Sequence, residues 1–185
     1  MSAKDKVRKK YLKIRKKKYF SVKQSFFKPL LNLIRKTRKR RISLYYPSNY
    51  EVDTRILLKI LSKKKNFITL LPKILPNGKM KFIKWKFHDP LEVNKFGFLE
   101  PKVNGKGIKP DIVVMPILAF DKFLNRIGYG KGYYDKFLNN YINKKKDVLT
   151  IGLAFSFQRY KKLPISKFDV KINYILTEKG VWNFK

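Results

Sequence analysis

The sequence predicts an α/β fold: a single three-layer domain with a central parallel or mixed sheet and helices on both faces. Three observations carry that expectation. Apolar, β-prone runs alternate with segments of helical period along most of the chain. The segment 111–120 is apolar after its first residue, as expected of a strand covered on both faces at the sheet centre. A glycine-rich loop follows it and leads into a helix, and such sheets place their ligands at the ends of their strands.

Taken in order, residues 3–18 read as a very basic helix. Residues 21–36 read as a second, with Phe26, Phe27, Leu30, Leu31 and Ile34 on one face. Arg41 to Tyr46 is β-prone and is broken by Pro47-Ser48-Asn49. From about Val52 to Ser62 the spacing of Val52, Ile56, Leu57, Ile60 and Leu61 predicts an amphipathic helix. Asn66 to Leu71 reads as a strand ended by Pro72, and Leu75-Pro76-Asn77-Gly78 as a turn into a strand over 79–85. Residues 88–110, with Gly97, Pro101, Gly105 and Gly107, read as irregular. After the strand at 111–120 come the glycine loop, a helix from about Tyr133 to Asn143, and strands over 148–154 and 170–176. The runs Lys63-Lys64-Lys65 and Lys144-Lys145-Lys146 read as solvated loop ends. The whole chain, 1–185, is expected to be one domain, with the N-terminal helices of about 3–36 packed on it.

Composition bounds the chemistry. Hydrophobic residues make up 44% of the 185, enough for a core. The absence of cysteine excludes disulfides, thiol chemistry and cysteine-held zinc or iron–sulfur sites. The single histidine, His88, argues against a histidine-cluster metal site or a Ser-His-Asp triad with a spare base. Residues 1–18 are basic but lack the apolar region of a secretory signal, and no apolar run could span a bilayer. The expectation is a soluble, cytoplasmic protein. The net charge of +34 has two readings, nucleic-acid binding or compositional bias. Bias is favoured: Lys outnumbers Arg by 37 to 9. RNA-binding surfaces use Arg more freely, for its planar fork.

The informative loop lies at 126–135. Gly128, Gly130 and Gly132 alternate with Tyr129 and Lys131 just before a helix. Glycine lets the backbone come close to a ligand, a helix N-terminus favours an anion, and Arg126 and Lys131 add full charges. Together they make a polyphosphate cradle. The glycines alone also fit a bare turn before a helix, and they match neither the P-loop nor the dinucleotide fingerprint.

The string Arg126-Ile127-Gly128-Tyr129-Gly130-Lys131-Gly132-Tyr133-Tyr134-Asp135 resembles the signature loop of 5-formyltetrahydrofolate cyclo-ligases, also called methenyltetrahydrofolate synthetases. Other family-like pieces follow the same order. They are Lys4 and Arg8 with Arg15, Tyr50 to Thr54, Met80-Lys81-Phe82, Phe96 to Pro101, Pro116 to Asp121, Ile151 to Phe155 with Gln158, Asp169, and Leu176-Thr177-Glu178. The resemblance covers nearly the whole chain. It implies the layered fold shared with some isomerases and CoA transferases. The reaction it implies is closure of 5-formyltetrahydrofolate to 5,10-methenyltetrahydrofolate with ATP and Mg²⁺. A formamide oxygen leaves poorly, so the γ-phosphoryl is first moved onto it; N10 then attacks the activated carbon and phosphate departs. The protein need only position two ligands and neutralise charge.

By the same resemblance, Lys4 and Arg8 bind ATP phosphates, as does the loop Arg126, Ile127, Gly128, Tyr129, Gly130, Lys131, Gly132, Tyr133 and Tyr134. Glu51, with Tyr129, Gly130, Lys131, Gly132 and Tyr133, binds the folate, and Tyr46 is a further folate-binding candidate as an apolar wall. Arg126, Lys131 and Tyr133 are the catalytic candidates, and Asp135 and Asp169 the magnesium ligands. Plainer readings stand beside each. Lys4 and Arg8 fit any basic helix, and the loop aromatics fit helix-start packing. Asp135 fits a favourable charge in a first turn, and Asp169 a turn residue. Glu51 fits helix N-terminal complementarity, which Asp53 could equally supply. Tyr46, Met80, Phe82 and Trp85 fit either an apolar wall for flat rings or the core. Ile117, Phe168 and Asn173 depart from the family pattern, where glycine, histidine and aspartate are common. The substrate carries its glutamate tail single or extended, and the chain is expected to act as a monomer with no need of membrane or nucleic acid. The rival expectations are an RNA-binding or ribosome-associated basic protein, and a family member without turnover.

Overall fold

The computed structural model describes residues 1–103, 105–142 and 147–183, with Ile142 described by its backbone only. The elements are α1 (Ala3–Lys18), a 3₁₀ turn (Gln24–Phe27) running into α2 (Lys28–Arg35), β1 (Arg41–Ser43), α3 (Arg55–Ser62), β2 (Ile68–Ile74) and β3 (Met80–Lys84). Then come β4 (Leu91–Val93), β5 (Leu99–Pro101), β6 (Ile112–Pro116), β7 (Ala119–Phe120), β8 (Arg126–Ile127), α4 (Tyr133–Ile142), β9 (Leu149–Leu153), β10 (Tyr174–Thr177) and β11 (Gly180–Asn183). The lysine run at 144–146 and the expected helix end at Asn143 lie outside the described residues.

Among the described residues, seven strands form one mixed sheet in the order β11-β10-β9-β6-β1-β2-β3. The five inner strands are parallel and the two edges antiparallel. β6 lies at the centre, and its period of two sorts its side chains. Ile112 and Val114 pack with the 3₁₀ turn, α2 and α3 on one face; Val113 and Met115 pack with α4 on the other. This is the expected three-layer α/β arrangement. α1 packs apart from the sheet, with Val7 and Tyr11 against Leu118, Ala119 and Ile127.

Local chemistry moved several boundaries. Pro29 has no N–H and must sit in a first turn, so the expected 21–36 helix begins as α2 at Lys28 behind a 3₁₀ turn. β2 does not end at Pro72 but pairs through it to Ile74. The Leu70 carbonyl points to β1, accepting from the Leu44 amide, and Pro72 faces the same side, beyond the end of β1. No ladder bond is lost there. The expected strand at 111–120 leaves the sheet after Pro116, where the Gln158 amide donates to the carbonyls of Ile117 and Leu118 at 2.7 and 2.8 Å. Residues 88–110 are not wholly irregular. Asn94 Oδ1 accepts from the amides of Phe96 and Phe98, Gly97 takes a φ of 78°, and a β4-β5 hairpin closes. The last strand begins at Tyr174, and β11 is added beyond it.

Asp111 ties the entry of β6 to β1. It accepts from the Arg41 guanidinium and from the amides of Arg40 and Arg41. Partial burial opposes its ionisation, but these donors outweigh that and hold the carboxyl well below its usual range. A lowered folded pKa adds stability above the unfolded value, about 3.9, and that stability is lost as pH falls through the folded value. Asp111→Asn is therefore expected to cost about 1–3 kcal/mol at neutral pH. Urea unfolding at several pH values should show that difference closing as the medium becomes strongly acid.

Candidate active site

A cavity of about 740 Å³ opens beyond the C-terminal ends of β1 and β6. All fifteen residues singled out from the sequence line it: Lys4, Arg8, Tyr46, Glu51, the loop 126–134, Asp135 and Asp169. Segments far apart in the chain therefore meet at one space. The uncertain wall divides: Tyr46 and Met80 line the cavity, whereas Phe82 and Trp85 are buried in the core.

The loop builds the cationic end. Gly130 and Gly132 have φ of 95° and 67°, which side-chain-bearing residues rarely adopt. The Gly128 carbonyl accepts from Arg8 Nε at 3.1 Å, and Arg8 also pairs with Asp5 at 2.6 Å. A Cβ on Gly130 would stand 3.0 Å from Arg8 Cζ, so a side chain there would crowd that guanidinium as well as strain the positive φ. Ile127 contributes through its position on β8; its side chain is buried beside α1. Lys131 lies over the Phe96 ring at 5.0 Å, and Tyr133 packs on the same ring at 6.0 Å. The β4-β5 hairpin thus faces the glycine loop across the mouth.

Two carboxylates sit at that end. Asp135 Oδ1 accepts from Arg126 Nη2 at 2.8 Å and from the Val170 amide at 3.1 Å. Asp169 Oδ2 accepts from Lys4 and from the Ser166 amide. Partial burial works against ionisation of Asp169, but Lys4 and Ser166 outweigh it and hold the carboxyl below its usual range. Asp135 Oδ2 has no hydrogen-bond partner among the described residues, and the bonds to Asp169 from Lys4 and the Ser166 amide both fall on Oδ2.

The other end is set by Glu51. Asn49 and Tyr50, at φ of 48° and 61°, bend the chain just before it. Its carboxylate turns inward, accepting from the Ser48 amide at 2.8 Å and from the Tyr129 hydroxyl at 2.8 Å. Burial raises its pKa, and the nearby Arg15 charge opposes that rise. Helix complementarity falls to Asp53 instead, which accepts from the Arg55 amide at the start of α3. Tyr134 is partly buried, and its hydroxyl, enclosed near Glu51, has no partner among the described residues.

A model of the 5-formyltetrahydrofolate cyclo-ligase family matches residues 1–178. The chain belongs to this family. A cyclo-ligase from Haemophilus influenzae is 36% identical over 160 residues, 83% of each chain, and one from Escherichia coli is 27% identical over 149, covering 77% of this chain and 80% of that one. The NMR structure of Aquifex aeolicus 5,10-methenyltetrahydrofolate synthetase superposes with a TM-score of 0.74 at 28% identity, over 98% of this chain and 93% of that one. A synthetase structure from Mycoplasma pneumoniae shares the fold, at 0.69 and 23% identity, over 94% and 97%. The chain is accordingly an enzyme of the cyclo-ligase type. Among the described residues no helix is long and apolar enough to cross a membrane.

In this cyclo-ligase the three departures have separate consequences. Ile117 does fill space: its side chain packs against Gly152, where an added Cβ would meet it at 3.0 Å. Asn173 lies away from the cavity, and its side chain accepts from the Thr150 amide and hydroxyl, joining β9 to the entry of β10. Phe168 lines the cavity and is exposed. Sequence reasoning gave no role to Asn94, Phe98 or Arg15. The first two lie on the hairpin read as irregular. Arg15 follows Lys4 and Arg8 on one helical stripe at i, i+4 and i+11, a spacing that could have marked it.

Proposed function

We propose that this chain closes the ring of 5-formyltetrahydrofolate to 5,10-methenyltetrahydrofolate, using ATP and Mg²⁺ and releasing ADP and phosphate. The observation that carries the reading is the single cavity that joins a cationic, glycine-bent end to a buried carboxylate among aromatic rings. The first end suits a polyphosphate. The second suits a pterin, whose ring N–H and amino group would donate together to Glu51.

The transfer balances as follows. The formyl oxygen takes the γ-phosphoryl as the bond to ADP breaks. N10 then bonds to the formyl carbon, the carbon–oxygen bond breaks to release phosphate, and N10 loses its proton. Arg126 and Lys131 offset charge on the moving phosphoryl, while Lys4 and Arg8 hold the phosphates from α1. The bend at Gly128 to Gly132 presents backbone N–H groups to the same oxygens. Tyr129 and Tyr133 wall the gap between the two ligands, with Tyr46 on the folate side. Asp135 and Asp169 would hold magnesium through their carboxylate oxygens. Among the described residues no cluster of three His, Asp or Glu side chains forms a complete metal cage, which suits an ion that takes its other ligands from phosphate and water. Bound magnesium would supply charge neutralisation between the phosphate oxygens. We assign the activity to a monomer in the cytoplasm, acting on folates with single or extended glutamate tails. The RNA-binding reading rests on net charge alone.

Gly130→Ala tests the cradle. The new methyl would strain a φ of 95° and nudge the Arg8 guanidinium, so KM for ATP is expected to rise about tenfold, with KM for folate less affected. Thermal melting tests the assignment of ligands. ATP with Mg²⁺ and 5-formyltetrahydrofolate should each raise Tm, by the equivalent of about 2.7 kcal/mol at a hundred times Kd. No shift with either ligand, beside salt-sensitive stabilisation by RNA, would overturn the reading.

A further inference from the structure

Arg15 is 1% exposed, yet no carboxylate among the described residues forms an ion pair with it. Its Nη2 donates to the Tyr129 hydroxyl, and that hydroxyl donates to Glu51 Oε1 at 2.8 Å. The guanidinium also lies 5.4 Å from the centre of the Tyr129 ring. Its Nε is a buried donor without a partner among the described residues. Two opposite buried charges are therefore joined through one phenol. Glu51 and Tyr129 line the cavity, whereas Arg15 stands behind its wall.

We propose that Arg15 is a positioning residue for the folate-binding carboxylate, acting through Tyr129 to keep Glu51 charged, fixed in direction and open to its ligand. The proposal rests on the cyclo-ligase reading and adds a residue to it. A buried cation without a direct ion pair is costly, so the spacer needs a reason. A bidentate Arg–carboxylate pair would occupy both oxygens that a pterin must reach. The phenol takes one lone pair and leaves the other acceptor positions of Oε1 and Oε2 to the ligand and Ser48. The arrangement also joins the two ends of the site. α1 carries Lys4 and Arg8 at the phosphate end and Arg15 two turns further on, and the glycine loop carries Tyr129 between them. One rigid helix thereby sets the spacing of both ligands.

The charge has a testable consequence. Burial disfavours ionised Glu51, and Arg15 and the Tyr129 hydroxyl oppose this. The other titratable groups facing it are Tyr45, Tyr129 and Tyr134, all held protonated by burial. None of these changes state between acid and neutral pH. Removing Arg15 should therefore move the acid limb of kcat/KM for folate to higher pH.

The experiment compares the wild type with Arg15→Met, Arg15→Lys and Tyr129→Phe, measuring kcat and KM for 5-formyltetrahydrofolate and for ATP from acid to neutral pH. In Arg15→Met, KM for folate should rise about tenfold or more with KM for ATP within about twofold, and the acid limb should move up. Arg15→Lys keeps the charge and should leave the limb near its wild-type position. Tyr129→Phe keeps the buried cation and the ring, so it serves if Arg15→Met does not fold. It should raise KM for folate and move the limb in the same direction. Loss of Tm in Arg15→Met with an unmoved limb, or an unchanged folate KM in Tyr129→Phe, would overturn the proposal. Absence of product from the wild type would overturn the cyclo-ligase reading itself, a distinct result.

Discussion

Asp135→Asn is expected to lower kcat on the order of 10²–10³-fold while leaving the fold intact. Asn keeps the volume and can still accept from Arg126 and the Val170 amide, so the start of α4 need not move. What disappears is the negative charge and a hard, anionic oxygen for magnesium. Arg126, whose side chain is 6% exposed, also loses its ion-pair partner. The variant should need more Mg²⁺ for half-maximal activation than the wild type does. Kinetics across a magnesium series, with melting curves beside them, check both halves. A variant keeping more than about a tenth of wild-type turnover with an unchanged magnesium curve would remove Asp135 from the metal site.

The second large effect is expected at the opposite end. Glu51→Gln should cut kcat/KM for 5-formyltetrahydrofolate about 10²-fold or more, with KM for ATP nearly unchanged. A pterin edge offers donors, and the glutamine amide would set its own NH₂ donors against them in a buried place. Each charge-assisted bond lost is worth about 1.5–3 kcal/mol, and a mismatched buried donor adds to that. The split between the two substrates is the diagnostic part: a variant damaged in folding would lose both together. Steady-state kinetics with each substrate varied in turn measures it.

These two residues were legible in the sequence for different reasons. Asp135 lies inside a continuous string whose glycines have a backbone purpose, seen in the positive φ of Gly130 and Gly132. Glu51 was found only through its neighbours in a family-like segment, because composition could not separate it from Asp53. The structure separates them by direction: Asp53 turns to the start of α3 and Glu51 to the cavity. The central strand was legible because a run of apolar residues needs cover on both faces, and β6 has it. The β4-β5 hairpin was not, because its strands are three residues each and its turn depends on one asparagine side chain. Arg15 stood beside Lys4 and Arg8 in the family-like set but without a role: in a helix with so many cations composition could not single it out, and only its place on their stripe could. β2 running through Pro72 was hidden because a proline is harmless only where a neighbouring strand has already ended.

The central claim is that one cavity holds a nucleotide's terminal phosphate beside a formylated pterin. Its most direct measurement mixes purified protein with 5-formyltetrahydrofolate, ATP and Mg²⁺ and follows the ultraviolet absorption of the methenyl product. Product should accumulate only when all three are present, with one ADP and one phosphate formed for each ring closed. A folded protein that binds both ligands and yields no methenyl product, or yields it without consuming ATP, would contradict it.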